Sequence, residues 1–152
     1  MRLLCDEMLA RLGRWLRAAG YDTEIATGGA SDRALTAHSA GDGRLLLTRD
    51  RHLAEFAAAR IVPVLHLTEN NVEAQARRLR QALGVDWQHD PFTRCLVDNT
   101  PLDPAPQGAA ALVPMKSRPA AGPLRVCPNC GRLYWPGGHV RRMRGRLSSF
   151  NA

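Results

Sequence analysis

Three aspartates stand where predicted buried strands end, which is where carboxylates can be combined into one site. Asp6 follows the apolar run "RLLC", Asp50 closes "RLLLTRD", and Asp32 begins the helix predicted after "DTEIA". In a parallel α/β sheet, ligands bind at the carboxyl ends of the strands, so the three carboxylates are expected at one edge. Clustered carboxylates repel each other unless they share a cation, and such oxygen ligands suit Mg²⁺ or Mn²⁺. The pattern predicts a divalent-metal site of the kind that activates water against a phosphodiester.

Helix capping is the alternative explanation of the same acids. Asp50 would cap a helix that begins near Arg51, and Asp32 would stabilise the first turn of its own helix. For a single acid the two explanations are about equally good. Three acids at one edge favour the metal site.

Arginines lie near these acids and could contact a phosphate. Arg49 and Arg51 flank Asp50, and Arg11, Arg14 and Arg17 recur every three residues opposite the apolar side of the first predicted helix. We therefore expect substrate contacts from Arg11, Arg14, Arg49 and Arg51. A solvated helix face is the alternative for the first-helix arginines.

The elements that must position these residues alternate between strand and helix over the first 88 residues. Apolar residues at helical spacing predict a helix over "EMLARLGRWLRAAG", with Gly20 ending it. Ser31 and Thr68 are expected to cap later helices, and Gly84 is expected to end the last of them. The short apolar runs "RLLC", "DTEIA", "RLLLT" and "IVPVLHL" predict four strands. This rhythm predicts an α/β fold with a parallel sheet covered on both faces.

Composition changes after Trp87, which suggests a boundary. Residues 1–88 hold 12 Arg and 11 acids, whereas residues 89–152 hold 9 Lys or Arg and 3 acids, so most of the net charge of +7 lies in the second part. The stretch "TPLDPAPQGAAALVPMKSRPAAGPL" has the composition of a linker. We expect a first domain over 1–88 and a small basic module over 89–152 that needs a metal to hold it. A basic appendage favours nucleic acid as the partner.

Cysteine usage and hydropathy limit the class of protein. Two isolated cysteines, Cys5 and Cys95, and one CxxC formed by Cys127 and Cys130 do not make a secreted disulfide framework. No apolar run approaches the roughly 18 residues that would span a membrane. A cytoplasmic protein without a membrane partner is expected, and the sequence leaves the oligomeric state open.

Four segments resemble one known family. "LLCDEMLARLGRWLRAAGYDT", "SDRALTAHSAGDGRLLLTRDRHL", "FTRC" and "CPNCGRLYWPGGHVRRM" are similar to the Mut-seven C-terminal RNase domain family, whose members are PIN-like nucleases with an appended zinc ribbon. The resemblance covers the chain apart from the Pro- and Ala-rich insert near residues 103–123. It implies a three-layer α/β/α PIN-like fold and metal-dependent cleavage of RNA.

The resemblance also implies particular site residues. The acidic positions of the family fall on Asp6, Asp32 and Asp50, and a fourth acid near the last strand would be Glu69, which is better explained as part of a helix cap. The zinc ribbon would use Cys95, Asp98, Cys127 and Cys130, with Asp98 where the family pattern has a cysteine.

Carboxylate oxygen can bind zinc, so these four residues could still complete a tetrahedral zinc site. His139 is an alternative fourth ligand, and a metal-free module packed on Tyr134 and Trp135 is a further possibility. The resulting hypothesis is a ribonuclease that uses Mg²⁺ or Mn²⁺ for catalysis and Zn²⁺ for structure. The alternative is a non-catalytic RNA-binding or regulatory protein with a PIN-like fold.

Overall fold

Four short parallel strands form the centre of the protein. The structure is a computed structural model that describes residues 1–116 and 122–152. The strands β1 (Arg2–Cys5), β2 (Asp22–Ile25), β3 (Leu45–Thr48) and β4 (Val64–His66) pair in the order β2-β1-β3-β4. Leu3 and Leu4 on β1 and Leu46 and Leu47 on β3 are buried because helices cover both faces, which explains why these two central strands are apolar without alternation.

Helices form a layer on each side of this sheet. A 3₁₀ turn at Glu7–Leu9 leads into α1 (Ala10–Ala18), which lies with α4 (Val72–Leu83) against one face. The other face is covered by α2 (Asp32–Asp42) and α3 (Arg51–Ala59), whose Leu35 and Leu53 pack with strand leucines. The predicted three-layer α/β/α architecture is confirmed.

Most of the predicted helix ends are correct because local chemistry decides them. Ser31 caps α2 by accepting the backbone N–H of Ala34, and Gly20 and Gly84 follow α1 and α4 with positive φ. Thr68 was the wrong cap for α4. The side chain of Asn71, three residues later, accepts the N–H of Ala74, so the helix begins only at Val72.

The last third of the chain folds back onto the first part. Three two-residue strands, β5 (Asp103–Pro104), β6 (Arg125–Val126) and β7 (Leu133–Tyr134), pair antiparallel and are followed by α5 (Gly138–Phe150). Phe150 on α5 packs edge-on against Trp15 at 5.4 Å and Trp87 at 5.2 Å between ring centroids. This C-terminal helix therefore contributes to the main core, while the division of the chain at residue 88 stays a prediction.

The stretch predicted to be a linker has some regular structure in its described part. It contains β5 and a 3₁₀ turn at Ala109–Leu112, and residues 117–121 lie outside the described residues. Across the described ranges, no helix has both the length and the hydropathy needed to cross a membrane.

Candidate functional site

Hydrogen bonds through one buried threonine connect two of the predicted acids. The hydroxyl of Thr48, the last residue of β3, donates to Oδ2 of Asp6 and accepts the backbone N–H of Asp50 at 2.9 Å. Asp6 itself is only 5% exposed and also accepts the N–H of Met8 at 3.0 Å. The ends of β1 and β3 thus bring the carboxylate of Asp6 and the backbone N–H of Asp50 to the same hydroxyl group.

Asp50 also caps α3, so the capping explanation of this residue is correct, and it accounts for one of the two carboxylate oxygens. Its Oδ1 accepts the backbone N–H groups of His52 at 2.8 Å and Leu53 at 3.3 Å. Both of these bonds end on the same oxygen of an exposed residue. A cap that uses one oxygen is compatible with a metal contact through the other.

Asp32 reaches the same edge from α2. It occupies the first turn of that helix, while Ser31 supplies the cap. Its Oδ2 lies 3.7 Å from Nε2 of His52, the first residue whose N–H bonds Asp50. The side chain of His52 is 80% exposed. His52 approaches Asp32 with its ring and bonds Asp50 with its backbone N–H, a connection that the sequence spacing did not suggest.

The three acids are spread along the edge and do not form one compact cluster. Within residues 1–116 and 122–152, the groups whose ligand atoms all lie within 4.8 Å of one another do not include Asp6, Asp32 and Asp50 together. A hydrated Mg²⁺ keeps several waters and needs only one or two direct carboxylates. The spread therefore suits a hydrated divalent ion better than a fully protein-ligated one.

Glu69 in the loop after β4 adds an unsatisfied carboxylate oxygen to this edge. Its Oε2 is buried and has no hydrogen-bond partner within the described part of the chain. Its backbone carbonyl accepts the side chain of Gln75, but the helix cap itself belongs to Asn71. The side chain of Glu69 is therefore not explained by capping, and an unpaired carboxylate oxygen fits a cation nearby.

The predicted substrate arginines differ in their surroundings. Arg49 donates to Oδ1 of Asn70 at 2.7 Å, and Arg51 pairs with Glu55 at 2.9 Å on the surface of α3. Arg11 and Arg14 are exposed on α1. Their role in binding a substrate stays a prediction.

Arg17, the third arginine of that spacing, does not face solvent. It is only 6% exposed and donates to the carbonyls of Thr23 at 2.8 Å, Leu96 at 3.1 Å and Val97 at 3.0 Å. Burial lowers the pKa of Arg17, and the nearby Cys5, Cys95 and Asp98 act in the opposite direction. The side chain joins α1 to the loop of the C-terminal part.

The second candidate site is the predicted set of three cysteines and one aspartate. The ligand atoms of Cys95, Asp98, Cys127 and Cys130 all lie within 4.8 Å of one another. Two sulfurs, those of Cys95 and Cys130, are 3.7 Å apart, and the Cys127 sulfur is 3.5 Å from each Asp98 oxygen. A tetrahedral zinc with ordinary bond lengths requires about 3.8 Å between sulfurs and about 3.6 Å between sulfur and oxygen. The donor set and its spacing fit zinc.

Two tight turns present these ligands. In the first, the backbone N–H of Asn99 bonds the carbonyl of Cys95 at 3.0 Å, and Asn99 takes a positive φ of 71°. In the second, the N–H of Cys130 points at the Cys127 sulfur at 3.4 Å, and the N–H of Gly131 bonds the Cys127 carbonyl at 2.9 Å. We call these turns, residues 95–99 and 127–131, the first and second knuckle.

Hydrogen bonds favour ligand-competent, deprotonated forms at two of the four positions. Asn129 donates to Asp98 at 2.8 Å, which with the Thr100 N–H lowers the pKa of Asp98 despite some desolvation. Burial alone would raise the pKa of Cys127, but the backbone N–H groups of Cys130 and Asn129 lower it overall. For Cys130, the Arg132 N–H acts downward, yet burial and the neighbouring thiols raise its pKa to about 11. A bound cation would deprotonate this last thiol as well.

The geometry does not support His139 as the fourth ligand in place of Asp98. His139 is exposed at the start of α5 and does not belong to the four-residue group. Tyr134 contributes differently, because its hydroxyl lies 3.1 Å from the Cys95 sulfur and accepts the Leu96 N–H at 3.0 Å. Tyr134 therefore supports the first knuckle whether or not a metal is present.

Asn99 was missed at the sequence level, although it connects the first knuckle to the sheet. Its side chain accepts the backbone N–H of Thr23 at 3.0 Å and donates to Asp22 at 2.7 Å. Asp22 in turn pairs with Arg44 at 2.8 Å. The sequence signal was weak, since a single Asn after "CLVD" is common in turns.

A further acidic group lies on the outside of the sheet. The ligand atoms of Glu24, His38 and Asp42 also lie within 4.8 Å of one another. The guanidinium of Arg44 pairs with Glu24 at 3.1 Å and with Asp42 at 2.5 Å. Because this arginine already supplies the positive charge, we assign no metal there.

Fold and site together define an α/β protein with carboxylates at one sheet edge and a Cys₃Asp knuckle pair packed beside the sheet. The family model described as the Mut7-C RNAse domain matches residues 1–147, essentially the whole chain. The chain therefore belongs to the Mut7-C RNAse domain family. Neither the curated proteins nor the solved structures yielded a match.

Proposed function

We propose that the protein is a divalent-metal-dependent ribonuclease whose Asp6, Asp32 and Asp50 hold Mg²⁺ or Mn²⁺. Family membership supports a nuclease role. The observation that carries the site is the hydrogen-bonded connection from Asp6 through Thr48 to Asp50 at the carboxyl edge of the sheet. RNA is the proposed substrate.

The chain's own residues would position the substrate and keep the edge negative. Thr48 fixes the orientation of the Asp6 carboxylate, and the α3 cap holds Asp50 at the sheet edge. When bound, the cation would supply Lewis acidity toward phosphate and water. Arg49 and Arg51, on either side of Asp50, are proposed to attract the phosphate of the RNA backbone.

We also propose that Cys95, Asp98, Cys127 and Cys130 bind structural Zn²⁺. Three thiolates and one carboxylate around the ion carry a net charge of about −2. Arg17 donates to two carbonyls of the first knuckle and brings a positive charge toward this site. The metal would thus join the two knuckles to each other, and Arg17 would join the first knuckle to α1.

A non-catalytic RNA-binding protein is the second candidate. It is favoured by the capping bonds of Asp50 and by the distances that keep the three acids out of one compact group. In that case the basic C-terminal part would carry the function, and RNA affinity would not depend on Asp50.

The test compares wild type with Asp50→Asn on a labelled single-stranded RNA in Mn²⁺. Asparagine caps a helix about as well as aspartate, so the variant keeps α3 while it removes the charge. We expect cleavage to fall by at least about a hundredfold, because loss of even an outer partner of a metal site costs about 10–100-fold.

Asp90→Asn is the matched control, since Asp90 is exposed in a loop outside the acidic edge. It should cleave like wild type, and omission of Mn²⁺ should stop both. Equal cleavage by Asp50→Asn and wild type would reject the carboxylate site. Absence of cleavage by wild type on several RNA sequences, with binding retained, would favour the non-catalytic candidate.

A further inference from the structure

A cavity of about 490 Å³ lies between α1 and the C-terminal part, away from the acids. Its walls come from Arg14 on α1, Leu96 and Val97 in the first knuckle, Trp135 after β7, and the start of α5. We call it the cationic cavity. Its volume is within the range of sites that bind small molecules or single nucleotides.

The charge of this cavity is one-sided. Its lining residues include five basic side chains and no acidic one: Arg14, Lys116, Arg132, His139 and Arg142. None of the four Arg and Lys side chains makes an ion pair with a carboxylate in the described ranges, whereas Arg2, Arg44, Arg51 and Arg146 all do. The uncompensated cations mark a place where an anion would be stabilised.

The start of α5 adds to the same positive potential. The first turn of this 13-residue helix contains no acidic residue, and its Gly137 cap has no side chain to accept an N–H. A guanidinium nitrogen of Arg142 lies 3.2 Å from where a Cβ at Gly138 would stand, so this cation sits over the positive end of the helix dipole. That arrangement is unfavourable until a negative group joins it.

Aromatic surface lies beside the cations. Tyr134 and Trp135 both line the cavity, and the Trp135 side chain is half-buried. Single-stranded nucleic acids are bound by this combination, with bases stacked on aromatic rings and phosphates held by arginines. A free phosphate or an acidic peptide would bind the cations without stacking on the tryptophan.

A second cavity adjoins the cationic cavity on the side of α1 and β2. It measures about 370 Å³ and shares Arg14, Leu96 and Val97 with the cationic cavity. It extends to Ile25, which stands opposite Cys5 in the β1–β2 register, one residue before Asp6. The second cavity therefore extends the cationic cavity toward the end of β1 that Asp6 follows.

We propose that the cationic cavity is a binding site for single-stranded RNA, with a base on Trp135 and phosphates on Arg14, Arg132 and Arg142. The inference rests on RNA being the substrate in the proposed function. It adds a second site that would determine affinity and the direction in which the strand approaches the acids.

The test measures binding of a fluorescently labelled single-stranded RNA of twelve nucleotides to the zinc-loaded full chain, without Mn²⁺ or Mg²⁺. The double variant Arg132→Gln/Arg142→Gln should weaken binding about tenfold or more at moderate salt. Because each phosphate contact on a single strand contributes about 0.7 to the slope of log K against log salt, that slope should fall by about 1.4.

The matched control is Arg77→Gln/Arg80→Gln on α4, which removes the same charge at exposed positions outside the cavity. It should change affinity less than about twofold. If both double variants weaken binding by the same factor, net charge explains the effect and the proposal is wrong.

Trp135 distinguishes RNA from other anions. Trp135→Ala should weaken RNA binding about tenfold, and Trp135→Phe should restore most of it, since stacking tolerates any aromatic ring. If an acidic peptide displaces the RNA with equal affinity and Trp135→Ala has no effect, the cavity is a general anion site and the proposal fails.

Binding and cleavage separate the two proposals. Cavity-dependent RNA binding by a protein that never cleaves would reject the nuclease mechanism and leave this site standing. Mn²⁺-dependent cleavage with binding unaffected by the Arg132 and Arg142 changes would reject this site alone.

Discussion

Replacement of Arg17 by methionine tests how the knuckles are joined to the sheet. The guanidinium is buried and donates to three carbonyls, one on β2 and two in the first knuckle, at 2.8–3.1 Å. Methionine retains much of the aliphatic volume and removes all three donors. The three carbonyls would then be left without their partner in a place with little access to water.

The expected loss of stability follows from these contacts. A hydrogen bond that involves a charged group contributes about 1.5–3 kcal/mol, so three would total about 4.5–9 kcal/mol if they were independent. Removing the guanidinium also removes its own desolvation cost, and the loop can relax, so we expect a loss of about 3 kcal/mol. For a chain of this length that corresponds to a fall of about 6–12 °C in Tm.

Denaturant unfolding with bound zinc measures this loss, and Arg11→Met is the control. Arg11 lies on the same helix, is exposed, and makes no hydrogen bond or ion pair within the described residues. It should change the free energy of unfolding by less than about 0.5 kcal/mol. A loss below about 1 kcal/mol for Arg17→Met would show that the three bonds do not hold the knuckle, and the argument would be refuted.

Three further predictions, the first with a comparison variant, test other parts of the structure. A Cβ on Gly13 would lie 2.6 Å from Ile25 Cγ1, so Gly13→Ala should cost about 1–3 kcal/mol in urea titrations. Gly145→Ala, where a Cβ meets open space, should gain up to about 1 kcal/mol, and equal effects would contradict the packing argument. Asp98→Cys should slow zinc release to a chromogenic chelator because it completes a four-thiolate site; unchanged release would show that Asp98 is not a ligand. Burial would raise the pKa of Asp22, but hydrogen bonds from guanidinium and amide groups lower it to about 2. Its contribution is therefore complete above its ordinary pKa of 3.8 and is lost as pH falls toward 2. Asp22→Asn should flatten the decline in stability across that window, and an unaltered decline would count against this assignment.

The sheet and its order of elements could be predicted because the signals are local. Runs such as "RLLLT" are apolar on both faces, which is typical of a parallel strand between helix layers. Ser31, Gly20 and Gly84 act through their own backbone neighbours, so their roles are visible in a few residues. Asp6 directly follows β1, Asp50 lies two residues after β3, and Asp32 begins the helix after β2, so the sheet edge at which they are expected follows from the assignment of strands and helices.

The contacts that cross the chain could not be predicted. Arg17 has the spacing of a surface arginine on α1, and only the carbonyls of Leu96 and Val97, about eighty positions away, explain its burial. Thr48 resembles an ordinary strand residue until its hydroxyl is found between Asp6 and Asp50. Such roles depend on partners that periodicity and spacing do not specify.

The position of the first knuckle suggests that the proposed zinc site and the acidic edge are linked through β2. This strand is at the edge of the sheet, where an unpaired backbone N–H invites association with other chains. In this protein the side chain of Asn99 accepts the backbone N–H of Thr23. Asn99 is held in that position by the turn that begins at Cys95. Opening the knuckle would free the sheet edge and withdraw two carbonyls from Arg17 on α1, the helix that the 3₁₀ turn after Asp6 leads into. If the proposed zinc is bound, its removal from the cysteines should therefore loosen α1 as well as the knuckles, so the proposed metal would support the acidic edge although none of its ligands lies there.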